Sequence, residues 1–118
     1  MTQELTIDAV RLALGMYQLR ANVASINIAN AATPGARALR ADFAQARTLL
    51  DAAAGGHGAG LAVGIEELAG ERAKATSRPV QLDEEVAEMA AASTGFQTLS
   101  EALSRQFGLM RLAATGRS

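Results

Sequence analysis

Residues 22–43 read NVASINIANAATPGARALRADF, and within them a long apolar-periodic segment stops at Thr33-Pro34-Gly35 and the chain changes character. Pro34 has no N–H to give a helix and pushes Thr33 out of the α region, while Gly35 readily supplies a positive φ. A sharp exit from helix is therefore expected here, with Asn30 at the helix C-terminus. Everything before this point reads as helix, and so does much of the chain beyond Asp83.

Working back from the exit, the pattern predicts a helix over 6–30 with Thr6 as N-cap, roughly 25 residues and about 37 Å long. Val10, Leu14, Tyr17, Ala21, Ala24 and Ile28 recur at alternating steps of four and three, the spacing of a coiled-coil seam. Leu12, Met16, Leu19, Val23 and Ile26 recur at the same steps, centred about 200° around the helix from the first set. Arg11, Gln18, Asn22 and Ser25 fill one flank between the stripes, and Arg20 and Asn27 the other. Two seams require two sets of neighbours. Leaving the second stripe bare would forgo roughly 7 to 15 kcal/mol of burial, comparable to the whole stability of a domain. Burial by other subunits is the expectation. The alternative, a helix at the centre of its own bundle, needs more well-formed helices than are read in the remaining sequence.

Beyond the exit, 31–82 reads as a connecting segment. Asp42 to Ala54 fits a short helix with Asp42 as N-cap and Phe43, Ala46, Leu50 and Ala53 on one face. The run GGHGAGLAVG, Gly55 to Gly64, reads as a flexible linker. It lacks the spacing, the preceding strand and the Gly-Lys-Ser/Thr ending of a phosphate-binding loop. His57 lies in this run without an acidic neighbour and reads as a solvated loop residue. Glu66, Glu67 and Glu71, followed by Arg72 and Lys74, read as a charged turn or short helix without a convincing ligand set. Arg78-Pro79-Val80-Gln81 should run extended.

A second long helix is predicted over 83–115, with Asp83 as N-cap and Glu84 and Glu85 set against the helix dipole. Val86, Met89, Ser93, Phe96, Ser100, Leu103, Phe107, Met110 and Ala114 follow steps of three and four. Ala92, Leu99, Ala102, Leu109 and Ala113 widen the apolar surface beyond one seam. Gly95 and Gly108 each weaken an isolated helix by about 1 kcal/mol relative to Ala, so close packing or bending is expected there.

Composition narrows the function classes. The 118 residues are 49% hydrophobic but include only one Tyr, three Phe and no Trp, so Ala and Leu must supply the packing, as suits closely spaced helices. A net charge of −1 offers no basic field for nucleic acid or anionic lipid. With no cysteine there is no disulfide, thiolate nucleophile or Cys-based metal site. No convergent nucleophile, base or ligand set is visible, so an enzyme, a cofactor, a metal and a small-molecule substrate are not expected. The N-terminus carries acidic residues and periodic apolar positions, unlike a cleavable signal.

NIANAATPG, Asn27 to Gly35, closely resembles the signature of the bacterial flagellar basal-body rod and hook proteins, in which a long helix ends in Asn-Ile-Ala-Asn, a short spacer and Thr-Pro-Gly. The matching positions are Asn27, Ile28, Ala29, Asn30, Thr33, Pro34 and Gly35. VQLDEEVAEMA, from Val80 to Ala90, and GFQTLSEALSRQFGLMRLAATGR, from Gly95 to Arg117, are similar to the C-terminal helix of the proximal-rod members. In those a Val-x-Leu/Met-Asp-x-Glu start leads to an aromatic-Gln pair, here Phe96-Gln97, and then a run matched by Leu103, Phe107, Met110 and Arg111. Ala36 stands where an aromatic is common in the family, Arg78-Pro79 where Asn-Thr is usual, and the middle is shorter.

The resemblance implies a single all-α domain over 1–118, in which two long terminal helices form an antiparallel coiled-coil-like pair around an irregular Gly-rich middle with one short helix. It implies a structural subunit of the proximal rod that leaves through the flagellar type III export apparatus without a cleavable signal. The expected place is the periplasmic rod of the basal body. The expected partners are other rod subunits, the rod–ring junction protein and the MS ring. Expected subunit contacts are Leu12, Met16, Leu19, Val23 and Ile26 on the first helix and Leu99, Phe107, Leu109 and Met110 on the second. A rival reading of the same stripes is a soluble homo-oligomeric coiled-coil adaptor or export chaperone.

Overall fold

The computed structural model describes residues 3–116, with side chains from Thr6; Arg117, at the end of the second motif, lies outside them. Among the described residues the chain is mostly helical: α1 (Gln3–Ala29), β1 (Arg37–Arg40), α2 (Ala44–Ala54), α3 (Leu61–Ala69), β2 (Lys74–Pro79) and α4 (Leu82–Ala114). The long helices run side by side in opposite directions, since Asn27 meets Glu85, Arg20 meets Glu88 and Tyr17 meets Gly95. The molecule is a rod of 61 × 25 × 19 Å.

The long helices lie close to their expected bounds, and the caps account for the differences. Thr6 is inside α1 rather than at its N-cap, because Glu4 and Leu5 are helix formers that carry the helix back to Gln3. Asp83 is likewise inside α4: extended Gln81 takes the cap position, and Asp83, Glu84 and Glu85 make an acidic first turn. Phe43, not Asp42, takes the N-cap position of α2, because its carbonyl accepts the first helical N–H, from Arg47; Asp42, one residue earlier, accepts the Ala44 N–H on Oδ1 at 2.9 Å.

At the exit, α1 ends at Ala29, and the Ala36 N–H returns to the Thr33 carbonyl at 3.1 Å. With Pro34 second and Gly35 third at φ 77°, this is a type II turn, whose third residue requires a left-handed backbone. It delivers the chain into β1.

The middle departs most from expectation. Gly56, at φ 91°, closes α2 with a Schellman motif, in which the His57 N–H reaches the Ala52 carbonyl at 2.8 Å and the Gly56 N–H the Ala53 carbonyl at 3.0 Å. The run read as a flexible linker thus reverses the chain in a defined turn and then supplies the start of α3. Leu61, Ile65 and Leu68, at helical spacing, face inward on α3. Gly60 and Gly64 sit against the Leu49 side chain, so these glycines allow close approach of α2 and α3.

The resulting α2–α3 hairpin covers the first part of the second stripe of α1, Leu12 and Met16. Leu12 is fully buried with Ala46, Ala53 and Leu61, and Ala9, Met16, Leu49, Leu50, Ile65 and Leu68 pack around them. Gly15 belongs to the same contact; a Cβ there would lie 3.0 Å from Leu68 Cδ2. The expectation that other subunits must bury Leu12 is therefore corrected, and Met16 is partly covered, because α3, whose first turn lies in the run read as a linker, completes the cover from within the chain. Val23 is buried too, beside Ala41 and Phe43 rather than under α3.

Two short strands were also unread. β1 and β2 pair antiparallel, Leu39 opposite Ala75 and Arg40 opposite Lys74, with an irregularity between Arg37 and Leu39. Thr76 Oγ1 donates to the Ala38 carbonyl at 2.8 Å, and the Val80 N–H to the Ala36 carbonyl at 3.3 Å. The ribbon returns the chain to the clasped end of α1, where α4 begins.

Candidate subunit interface

The inner seam of α4 is rotated from the stripe predicted through Ser93 and Phe96. Glu85 and Ala92 are fully buried, Gly95 lies against the Tyr17 ring, and Met89, Leu99, Leu103 and Met110 are half-buried along the same line. The reason is size, since Ala92 and Gly95 let the Tyr17 ring sit close to the α4 backbone. Arg20 stacks over that ring at 6.0 Å and donates to Glu88 Oε2 at 3.0 Å.

At the exit end the helices are held by a polar clasp. Asn27, on the flank of α1 that reads as polar, is buried, and its Nδ2 donates to Glu85 Oε1 at 2.7 Å. The same amide pairs with the backbone of β1: Nδ2 donates to the Leu39 carbonyl at 3.1 Å, and Oδ1 accepts the Leu39 N–H at 2.9 Å. Arg40 grips Glu85 with both guanidinium nitrogens, at 2.8 and 2.7 Å, and reaches Glu84 Oε1 at 3.2 Å. Arg78 holds the other Glu84 oxygen at 2.8 Å. Among the described residues no buried side-chain polar atom is left without a partner.

The Arg40 guanidinium holds the Glu85 carboxyl below its ordinary value; burial works against this and the Asn27 amide adds to it. Reciprocally, the bond to Glu85 raises the Arg40 pKa against the opposing effect of burial. A paired, fully bonded carboxylate of this kind is costly to disrupt from one side, because the buried Asn27 amide loses that partner, while Arg40, part exposed, keeps access to water. Sequence reasoning set Glu85 against the helix dipole and Asn27 at the chain exit; their contact with each other went unread.

The expected contact residues divide. Leu12 and Val23 are buried in the chain's own core, and Met16, Leu19, Leu99 and Met110 are partly buried. Ile26 at 46% exposure, Phe107 at 47% and Leu109 at 62% present apolar surface to solvent. To these the structure adds Leu82, Val86, Phe96 and Leu112 on α4 and Val63 on α3. Of the turn residues, Asn30, Pro34 and Gly35 are exposed, while Asn27 alone is buried.

An open groove of about 520 Å³ runs between α1 and α3 and is bordered by Phe96 of α4. Leu14, Leu19, Ile65 and Leu68 form its apolar floor and walls, with Arg11, Gln18, Asn22 and Glu71 among its polar lining. Among the described residues no group of three or more His, Cys, Asp or Glu is placed to hold a metal ion, and no helix is long and apolar enough to cross a membrane. No protein-family model, curated protein or solved structure matches the chain.

Proposed function

We propose that the chain is a structural subunit of the proximal rod of the bacterial flagellum, of the type called FlgB, that works by assembling rather than by catalysis. One observation carries the reading: the two stretches that resemble rod proteins, far apart in sequence, meet in space. Asn27 of the first motif and Glu85 of the second are bonded at 2.7 Å, and both are buried. Motif positions that hold one another make sense as the means by which both ends of such a subunit are joined.

On this reading α1 and α4 form an antiparallel coiled-coil-like pair, stiffened at one end by the clasp. The exposed apolar residues of α4 then dock on neighbouring subunits. A heterologous contact that does not close on itself generates a helical tube, which suits torque transmission. The subunit would leave the cytoplasm through the type III export apparatus and act in the periplasmic rod. Its partners would be other rod subunits, the rod–ring junction protein and the MS ring.

Deletion of the gene in its bacterium, with recovery of a tagged full-length chain, tests this. Loss of swimming together with the chain in purified basal bodies is the expected result. Normal swimming, or a chain that stays a small soluble oligomer and is absent from basal bodies, would overturn the reading in favour of an adaptor or export chaperone.

A further inference from the structure

Beside the clasp, where α1, α4 and the start of α2 meet, lies a second cleft of about 290 Å³. Val23 and Ala24 of α1 and Phe43 at the head of α2 are buried and give it apolar walls. The guanidiniums of Arg20, Arg40 and Arg47 and the carboxylates of Glu85 and Glu88 also line it.

Both acids are already engaged. Glu85 is closed to solvent, and its two oxygens accept from Arg40, with the Asn27 amide also on Oε1. Glu88 Oε2 accepts from Arg20 at 3.0 Å. Arg47 is left over. Among the described residues its side chain forms no hydrogen bond or ion pair, although Asp51 stands four positions on along the same helix, the usual spacing for a pair. The cleft therefore carries one positive charge more than its acids neutralise, set beside low-dielectric walls that strengthen its field.

Arg20 adds binding capacity. Only its Nη2 is used, by Glu88, and no hydrogen bond to Nη1 or Nε forms among the described residues. The Glu88 bond and the Tyr17 ring, 6.0 Å away, hold this guanidinium in place, so that little ordering is left for a ligand to impose.

The chemistry of the lining narrows the ligand. A planar guanidinium matches a carboxylate through two parallel bonds. One excess charge suits a monoanion, whereas a phosphate dianion would bring a second negative charge towards Glu88, whose Oε1 is unbonded among the described residues. Val23 and Phe43 offer apolar surface on which a short aliphatic stem can pack.

We propose that this cleft binds a carboxylate carried on a short aliphatic stem, with Arg47 as its main partner and Arg20 as its second. Arg40, held by Glu85, shapes the wall. An acidic side chain of a second copy and a free carboxylic acid present the same group, and the experiment separates them. The site does not depend on the rod reading.

Butyrate is the probe, titrated near neutral pH into the isotope-labelled full-length chain while the arginine Nε–H signals are followed by NMR. Saturable movement of the Arg47 and Arg20 signals with one common Kd is expected. Formate, which has no stem, should bind about threefold more weakly. Arg47→Gln alters an exposed side chain without bonds, so it should melt like the wild type and bind butyrate about tenfold more weakly. Arg72→Gln, at an exposed and unpaired arginine outside the cleft, should bind it as the wild type does. Shifts that do not saturate, an equal loss in Arg72→Gln, or tighter binding of inorganic phosphate than of butyrate would overturn the site. Sedimentation in saturating butyrate then identifies the source: weakened self-association assigns the acid to a second copy and unchanged self-association to a free carboxylic acid, and either supports the cleft. A failed titration leaves the rod reading standing, and absence of the chain from basal bodies leaves the cleft standing.

Discussion

The two long helices begin from the same condition and end differently. Both α1 and α4 carry more apolar surface than one seam can hide, yet α1 is packed by α4 on one side and by α2 and α3 on another, whereas α4 packs on α1 alone. Ion pairs to β1 and β2 add support only at its first turn. Identical-looking patterns can therefore mean an inner helix or an outer one. What decides is whether the connecting segment supplies a second cover, and here it covers only α1.

The sharpest break of this contrast places one charge on each helix. Leu12→Asp should unfold the chain or cost about 4 kcal/mol or more in urea denaturation, because an unpaired carboxylate would enter a core closed to water. Leu109→Asp should change stability by no more than about 0.5 kcal/mol, since the side chain is already in solvent, while weakening assembly. Equal losses at both positions would mean that α4 is covered in the isolated chain.

The clasp should come next in size. Glu85→Ala is expected to cost roughly 3 kcal/mol by the same measurement, with part of the loss moderated by water reaching Arg40. A loss below about 1 kcal/mol would show that packing along the inner seam suffices to hold α4. Acid should reach the same site. Glu85 has a lowered pKa in the folded chain, so below the ordinary value of 4.5 the unfolded chain binds the proton first. The stability it contributes is thus present above that pH and is lost as pH falls through the lowered folded value. Melting temperatures compared between wild type and Glu85→Gln should show a steeper decline on acidification in the wild type.

Smaller effects of opposite sign separate the two ends of α4. Gly95→Ala should destabilise by about 1 to 2 kcal/mol, because the new methyl meets the Tyr17 ring and outweighs the gain in helix propensity. Gly108→Ala meets nothing within 4 Å and should stabilise by up to about 1 kcal/mol. Thermal melts of both variants check the pair, and a stabilising Gly95→Ala would remove the close seam from the account.

Much of this fold was legible because strong local signals wrote it. The proline-glycine exit, the acidic first turn of α4 and the long periodic runs each act within a few residues. What escaped depends on contacts distant in sequence. Gly60 and Gly64 read as flexibility because nothing nearby shows that Leu49 packs against them, and so the start of α3 was hidden although Leu61, Ile65 and Leu68 have helical spacing. The strands are short, include Pro79 and three arginines, and lack a clear alternation of apolar and polar residues. Of the candidate interface, the excess apolar surface on Leu109 and Phe107 was readable. The burial of Leu12 was not, for it required knowing that Leu61 begins a helix packed on it, and that of Val23 required knowing that Ala41 and Phe43 return beside it.

The Asn27 amide has a consequence for growth by strand addition. Its oxygen and nitrogen occupy the N–H and carbonyl that Leu39 turns away from β2, and so it serves as a surrogate neighbour at the rim of the ribbon. An incoming β-segment would find that rung taken and could win it only by unfastening the amide from α1. Templated cross-β stacking is thereby disfavoured at Leu39, and the molecule is left to recruit neighbours through its helices.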